Sequence, residues 1–91
     1  MNIKRKELGI ALFLKSHRLG EELTQSQMAK HLGISKQRLC DIENSRGIVS
    51  IKLCQKFSKK LGLPAEWLVK LALQDQINKA NLPLKVVRVG A

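Results

Sequence analysis

Between residues 24 and 44 two short segments, each apolar along one side, are separated by only Gly33-Ile34. So short a joint makes the two segments pack directly on each other. Both read as helices. Thr24-Gln25-Ser26-Gln27 has the capping-box pattern, in which the Thr24 hydroxyl accepts from the Gln27 amide and the Gln27 side chain reaches back. Gly33 suits the left-handed position that closes a helix. Ser35 is an N-cap for the second segment, which runs from Lys36 to about Asn44 and is closed by Arg46-Gly47.

These are the ingredients of a helix-turn-helix. Counting from Gln25, the fourth and eighth positions, Met28 and Leu32, face inward, and Ala29 between them is small enough for a close crossing. Ile34 plugs the joint, and Leu39 and Ile42 give the second helix its buried stripe. At 100° per residue, that stripe turns Gln37, Cys40, Asp41 and Asn44 outward, with Lys36 and Arg38 on the flanks. Such side chains suit a major groove. Gln pairs bidentately with adenine, Arg with guanine, Lys with guanine or phosphate, and Asp accepts from cytosine. Gln25, at the start of the preceding helix, falls where an anion is favoured and would position the backbone rather than read sequence.

The rest of the chain continues the pattern. A first helix is expected from about Lys6 to Arg18, stopping near Gly20. A fourth is capped by Ser50 and ends at Gly62, with Leu53, Cys54, Phe57 and Leu61 at helical spacing. Pro64 opens a fifth, from about Ala65 to Ala80. Beyond Pro83, Leu84-Lys85-Val86-Val87-Arg88-Val89 is β-branched and reads as a short strand or an extended tail. The expected fold is therefore all-α, with five helices and a short C-terminal extension. Residues 1–64 would form the core of the domain, with the motif at 24–44, and residues 65–91 a C-terminal helix and tail for dimerisation or partner binding.

Charge narrows the function. Seventeen Lys and Arg against seven Asp and Glu give 91 residues a net charge of +10, which calls for a polyanionic partner. Two cysteines without a CxxC pair and two histidines on different helices give no metal site, and no cofactor is expected. No serine or carboxylate stands near His17 or His31 at a catalytic spacing, and GxxxxGK[ST], HExxH and GxSxG strings are absent, so no enzymatic activity is expected. The apolar run after Lys4-Arg5-Lys6 is short and has no small-residue cleavage site, and no stretch approaches the roughly 20 apolar residues of a membrane span. A cytoplasmic chain without a membrane partner is the reading. Lys4-Arg5-Lys6 reads either as an arm on phosphates or as a solvated terminus.

With Leu23-Thr24-Gln25-Ser26-Gln27-Met28-Ala29-Lys30-His31-Leu32-Gly33-Ile34-Ser35 followed by Asp41-Ile42-Glu43-Asn44, the sequence resembles the lambda-repressor-like, Cro and Xre type of DNA-binding domain over about residues 8–68. The resemblance implies a five-helix fold whose third helix enters the major groove. It assigns Gln25, Lys36, Gln37, Arg38 and Asp41 to the positions that touch DNA, beside which Ser35 is a further DNA-binding candidate, and the loop from Asn44 through Arg46 to Val49 to backbone or minor-groove contact. It also implies a structural ion pair between Arg18 and Glu43. The sequence departs from the family at Glu22, where glycine is common, and the Glu21-Glu22 pair would repel DNA.

The fifth helix, with Trp67-Leu68-Val69-Lys70-Leu71-Ala72-Leu73 and Ile77, is apolar on more than one face. The excess predicts an interface through Trp67, Leu68, Leu71, Leu73 and Ile77, most simply with a second copy, and through Val86, Val87 and Val89 of the tail. Coverage by neighbouring helices of the same chain is the other reading. Together these features predict a sequence-specific transcriptional regulator, a dimeric repressor reading a pseudo-palindromic operator in double-stranded DNA. The alternative is an antitoxin that holds a toxin protein through its C-terminal segment and autoregulates through the same DNA domain.

Overall fold

Five helices follow one another: α1 (Ile10–Gly20), α2 (Gln25–Leu32), α3 (Lys36–Glu43), α4 (Ile51–Leu61) and α5 (Ala65–Lys79). The computed structural model describes residues 7–80 and 84–87. Among them there is no strand, and the architecture is all-α.

Local chemistry sets most of the boundaries. The Thr24 hydroxyl accepts from the Gln27 amide at 3.1 Å, and Gln27 Oε1 accepts from the Thr24 amide at 2.8 Å, which completes the capping box. Ser35 and Ser50 cap α3 and α4 by accepting from the amides of Arg38 and Leu53. Gly33 closes α2 at φ 75°, where a side chain would be strained. The Ser58 hydroxyl donates to the Leu63 carbonyl and fixes the turn into α5.

The first helix starts later than its expected position near Lys6. Gly9, which precedes it, has no side chain to cap with. The cap comes instead from α5, where Asp75 Oδ2 accepts from the Ala11 amide at 3.2 Å. A helix start is thereby tied to a residue 64 positions away. The expected arm at Lys4, Arg5 and Lys6 lies outside the described residues.

One apolar core joins all five helices. Leu14 of α1, Met28 and Leu32 of α2, Leu39 and Ile42 of α3, and Phe57 of α4 are all buried in it. Each side chain of this size contributes about 1.5–3 kcal/mol on burial. The fifth helix lies against α4 and α1 and adds Leu68, Val69, Leu71 and Ala72 to the same core. That corrects the expectation for two interface residues: Leu68 is 0 % and Leu71 4 % exposed, so both are core residues of this chain. The division after residue 64 does not separate two cores.

Residues 84–87 lie beside α5 without forming a helix or a strand. The buried Gln74 side chain holds them as a neighbouring strand would, donating from Nε2 to the Leu84 carbonyl at 2.9 Å and accepting from the Val86 amide at Oε1, 2.6 Å away. One side-chain amide thus satisfies two backbone groups of the tail.

Candidate nucleic-acid interface

The position of α3 is set from behind. Leu39 and Ile42 anchor its inner stripe, and Glu43, buried at its last turn, receives Arg18 of α1 through two bonds, Nε to Oε2 at 2.8 Å and Nη2 to Oε1 at 3.0 Å. Arg18 Nη1 also donates to the Leu23 carbonyl at 3.1 Å, so one guanidinium joins α1, the loop before α2, and α3. The hydrogen bond to Glu43 raises the Arg18 pKa, supported by charge attraction and opposed by desolvation. A fork-on-carboxylate pair of this kind fixes direction as well as distance.

Gln37 stands opposite the anchored stripe with Lys36 and Arg38 on its flanks, and all three are exposed at the capped start of α3. Gln37 Nε2 donates to Asp41 Oδ1 one turn later, at 3.0 Å. The same oxygen accepts from Arg46 Nε at 3.3 Å and Nη2 at 3.2 Å. Asp41 is thus the centre of a small surface network, and its charge is offset by Arg46 before any ligand arrives. The Gln37 amide keeps one N–H and its carbonyl oxygen, the two groups a bidentate pair with adenine requires. Asp41 therefore holds the amide plane of its neighbour.

Other residues on this face have structural partners. The Ser35 oxygen accepts from the Arg38 amide, while its hydroxyl hydrogen remains a donor. Asn44 folds back to donate from Nδ2 to the Cys40 carbonyl at 2.8 Å, closing the last turn of α3. Gln25 is half-buried and donates from Nε2 to Glu43 Oε1 at 3.2 Å, so it supports the ion pair from the start of α2. Cys40 is partly exposed on the same face, whereas Cys54 is buried and its thiol pKa is pushed up by desolvation.

The residues expected at an interface on α5 and the tail separate. Trp67 is half-buried and stands edge-on to Phe13 with ring centroids 4.8 Å apart. Ile77 and Val86 are half-buried, whereas Leu73 and Val87 are exposed. Val89 lies outside the described residues.

The backbone around the motif shows what glycine would supply at position 22. Glu22 has φ 56°, in the left-handed region that glycine occupies without strain. The turn before α2 keeps this conformation although the residue is glutamate. Its neighbours are tied to α1, with the Glu22 amide on the Leu19 carbonyl and the Leu23 amide on the Arg18 carbonyl.

Sequence reasoning missed the lysines of α4. Lys52, Lys56 and Lys59 have a spacing of four and three that was open to reading, but their closeness to Arg38 is visible only in the fold. Lys56 Nζ donates to the Gly33 carbonyl at 2.7 Å and so also closes α2. Among the described residues no group of His, Cys, Asp and Glu could hold a metal, and no helix is long and apolar enough to cross a membrane.

Comparison with known proteins agrees with this geometry. The helix-turn-helix family model matches residues 14–68. A protein of Methanocaldococcus jannaschii, described as an uncharacterized HTH-type transcriptional regulator, is 40% identical over 53 residues, covering 58% of this chain and 80% of the relative. No solved structure matches the chain. The capped helix pair, its anchored third helix and the family match lead to one conclusion: this chain belongs to the helix-turn-helix family of Cro/C1 type.

Proposed function

We propose that this DNA-binding regulator is a sequence-specific repressor that binds double-stranded DNA as a homodimer and occludes promoter DNA. The observation that carries the reading is the exposed run Lys36, Gln37 and Arg38 at the capped start of a helix whose opposite side is locked in the core. A net charge of +10 supplies the salt-sensitive attraction to phosphates, and a relative named as an HTH-type transcriptional regulator supports the reading. A dimer would place two copies of α3 about 34–36 Å apart, matching half-sites one helical turn apart. Sedimentation of the chain on a duplex carrying two such half-sites tests this. Two chains bound cooperatively are expected, and one chain per duplex with no cooperative second would contradict the dimer.

A second reading, an antitoxin, is favoured by residues 84–87, which the Gln74 side chain holds beside α5 while Val87 stays 78 % exposed, an apolar side chain open to a partner. In that reading the DNA domain autoregulates while the C-terminal segment holds a toxin. Co-purification with a small toxin, lost on deleting residues 82–91, separates it from a free-standing repressor.

A further inference from the structure

Lys52, Lys56 and Lys59 recur at intervals of four and three along α4, which stacks them on one side of the helix. With Arg38, Ser50, Leu53 and Gln55 they surround an open depression of about 500 Å³ beside α3, its cations standing around an apolar floor. No acidic residue lines it, and α4 contains none. All four cations are exposed. Like charges gathered in this way repel one another, more strongly as salt falls, so the arrangement costs the free chain stability that a polyanion returns.

Arg38 belongs to two faces at once, since it follows Gln37 on α3 and also borders the depression. A phosphate chain met by Arg38 continues naturally across α4. The depression is open to solvent rather than enclosed, so a polyanion lying on the surface can reach its lysines. We propose that Arg38, Lys52, Lys56 and Lys59 form a second phosphate track, binding the DNA backbone beside the base pairs that Gln37 faces. The assignment rests on the DNA-reading proposal above. The track contributes affinity and salt dependence and carries no sequence choice, because its groups reach phosphates and not base edges.

Two variants of the full chain test it, each first checked for its helical circular dichroism. K52Q/K59Q leaves the Lys56 bond to Gly33 intact, and K52Q/K56Q/K59Q removes all three lysines. Each lost phosphate contact takes about 0.9 from the slope of log affinity against log salt. The slope should therefore become shallower by about 1.8 and about 2.7, with the sequence enriched from a random library unchanged. A folded triple variant with the wild-type slope would overturn the track. So would resonances around the depression that shift with sodium pyrophosphate while the DNA slope stays unchanged, since the site would then serve a small anion. Failure of the wild-type chain to enrich any sequence would overturn the operator reading instead, and a slope that still falls on random duplex would leave the track standing.

Discussion

Glu43 Oε2 lies 2.8 Å from Arg18 Nε and Glu43 Oε1 lies 3.0 Å from Arg18 Nη2, so the last turn of α3 is held by a residue 25 positions earlier. The carboxylate side chain is 2 % exposed and the guanidinium 12 %. Removing one partner leaves a buried charge, and Gln25 loses its acceptor if Glu43 goes. Glu43→Ala or Arg18→Ala should cost about 3–5 kcal/mol in urea unfolding, whereas the apolar pair Arg18→Met with Glu43→Leu should cost much less. A single variant within about 0.5 kcal/mol of wild type would show that packing alone holds α3.

Gln37 and Asp41 make a separate prediction about sequence choice. Gln37→Ala should relax preference at one base pair with little change in salt slope, while Lys36→Ala should shallow that slope by about 0.9 if it meets a phosphate. Asp41→Ala frees the Gln37 amide and should blur the same base pair as Gln37→Ala. Library selection with each variant reads this out. Equal affinity losses on every sequence after Gln37→Ala would contradict the reading role.

Strain at Glu22 offers a gain. A non-glycine residue at φ 56° carries a cost that glycine avoids, although glycine has more chain entropy to lose on folding. Glu22→Gly should stabilise the domain by about 1 kcal/mol and, on the proposed binding mode, tighten DNA binding slightly, since one negative charge is removed. Thermal unfolding compared with Glu22→Gln separates the backbone effect from the charge.

Gly9 makes the opposite case. A Cβ there would collide with Asp75 Oδ1 and lie 3.2 Å from Asp75 Cα, pushing away the carboxylate that caps α1. Gly9→Ala should destabilise by about 1–3 kcal/mol. Asp75→Asn, which keeps an acceptor, should cost less, and denaturant midpoints decide the order.

The two thiols should differ in reactivity. Cys54 is fully buried with its pKa pushed up by desolvation, so it should resist alkylation until the chain unfolds. Cys40 is partly exposed on the face of α3 and should react in the native protein. Operator DNA should protect it. Equal labelling of Cys40 with and without bound DNA would place the duplex elsewhere.

The helix boundaries that sequence showed best are those made by neighbours. Thr24 with Gln27, Ser35 with Arg38 and Ser50 with Leu53 each act over three residues, and each was visible as a pattern. The partners that were not visible join distant positions. Asp75 caps α1, Gln74 holds the tail, and Lys79 Nζ donates to the Gly47 carbonyl at 2.9 Å, tying α5 to the loop after α3. The Arg18–Glu43 pairing came with the family resemblance, because no local rule connects those residues. The fifth helix shows the same limit. Its apolar character on several faces was plain, but only the fold reveals that α1 and α4 cover Leu68 and Leu71. On the outer face of α3, direction was legible and engagement was not: Asn44 closes its own helix and Asp41 holds Gln37 and Arg46.

Selection of bound duplexes from a random DNA library at about 150 mM salt, where screening weakens nonspecific attraction, tests the central claim most directly. The account predicts enrichment of a two-fold-symmetric site whose half-sites lie about one helical turn apart. Binding without any enriched sequence would contradict it, leaving α3 as one exposed helix of a basic bundle.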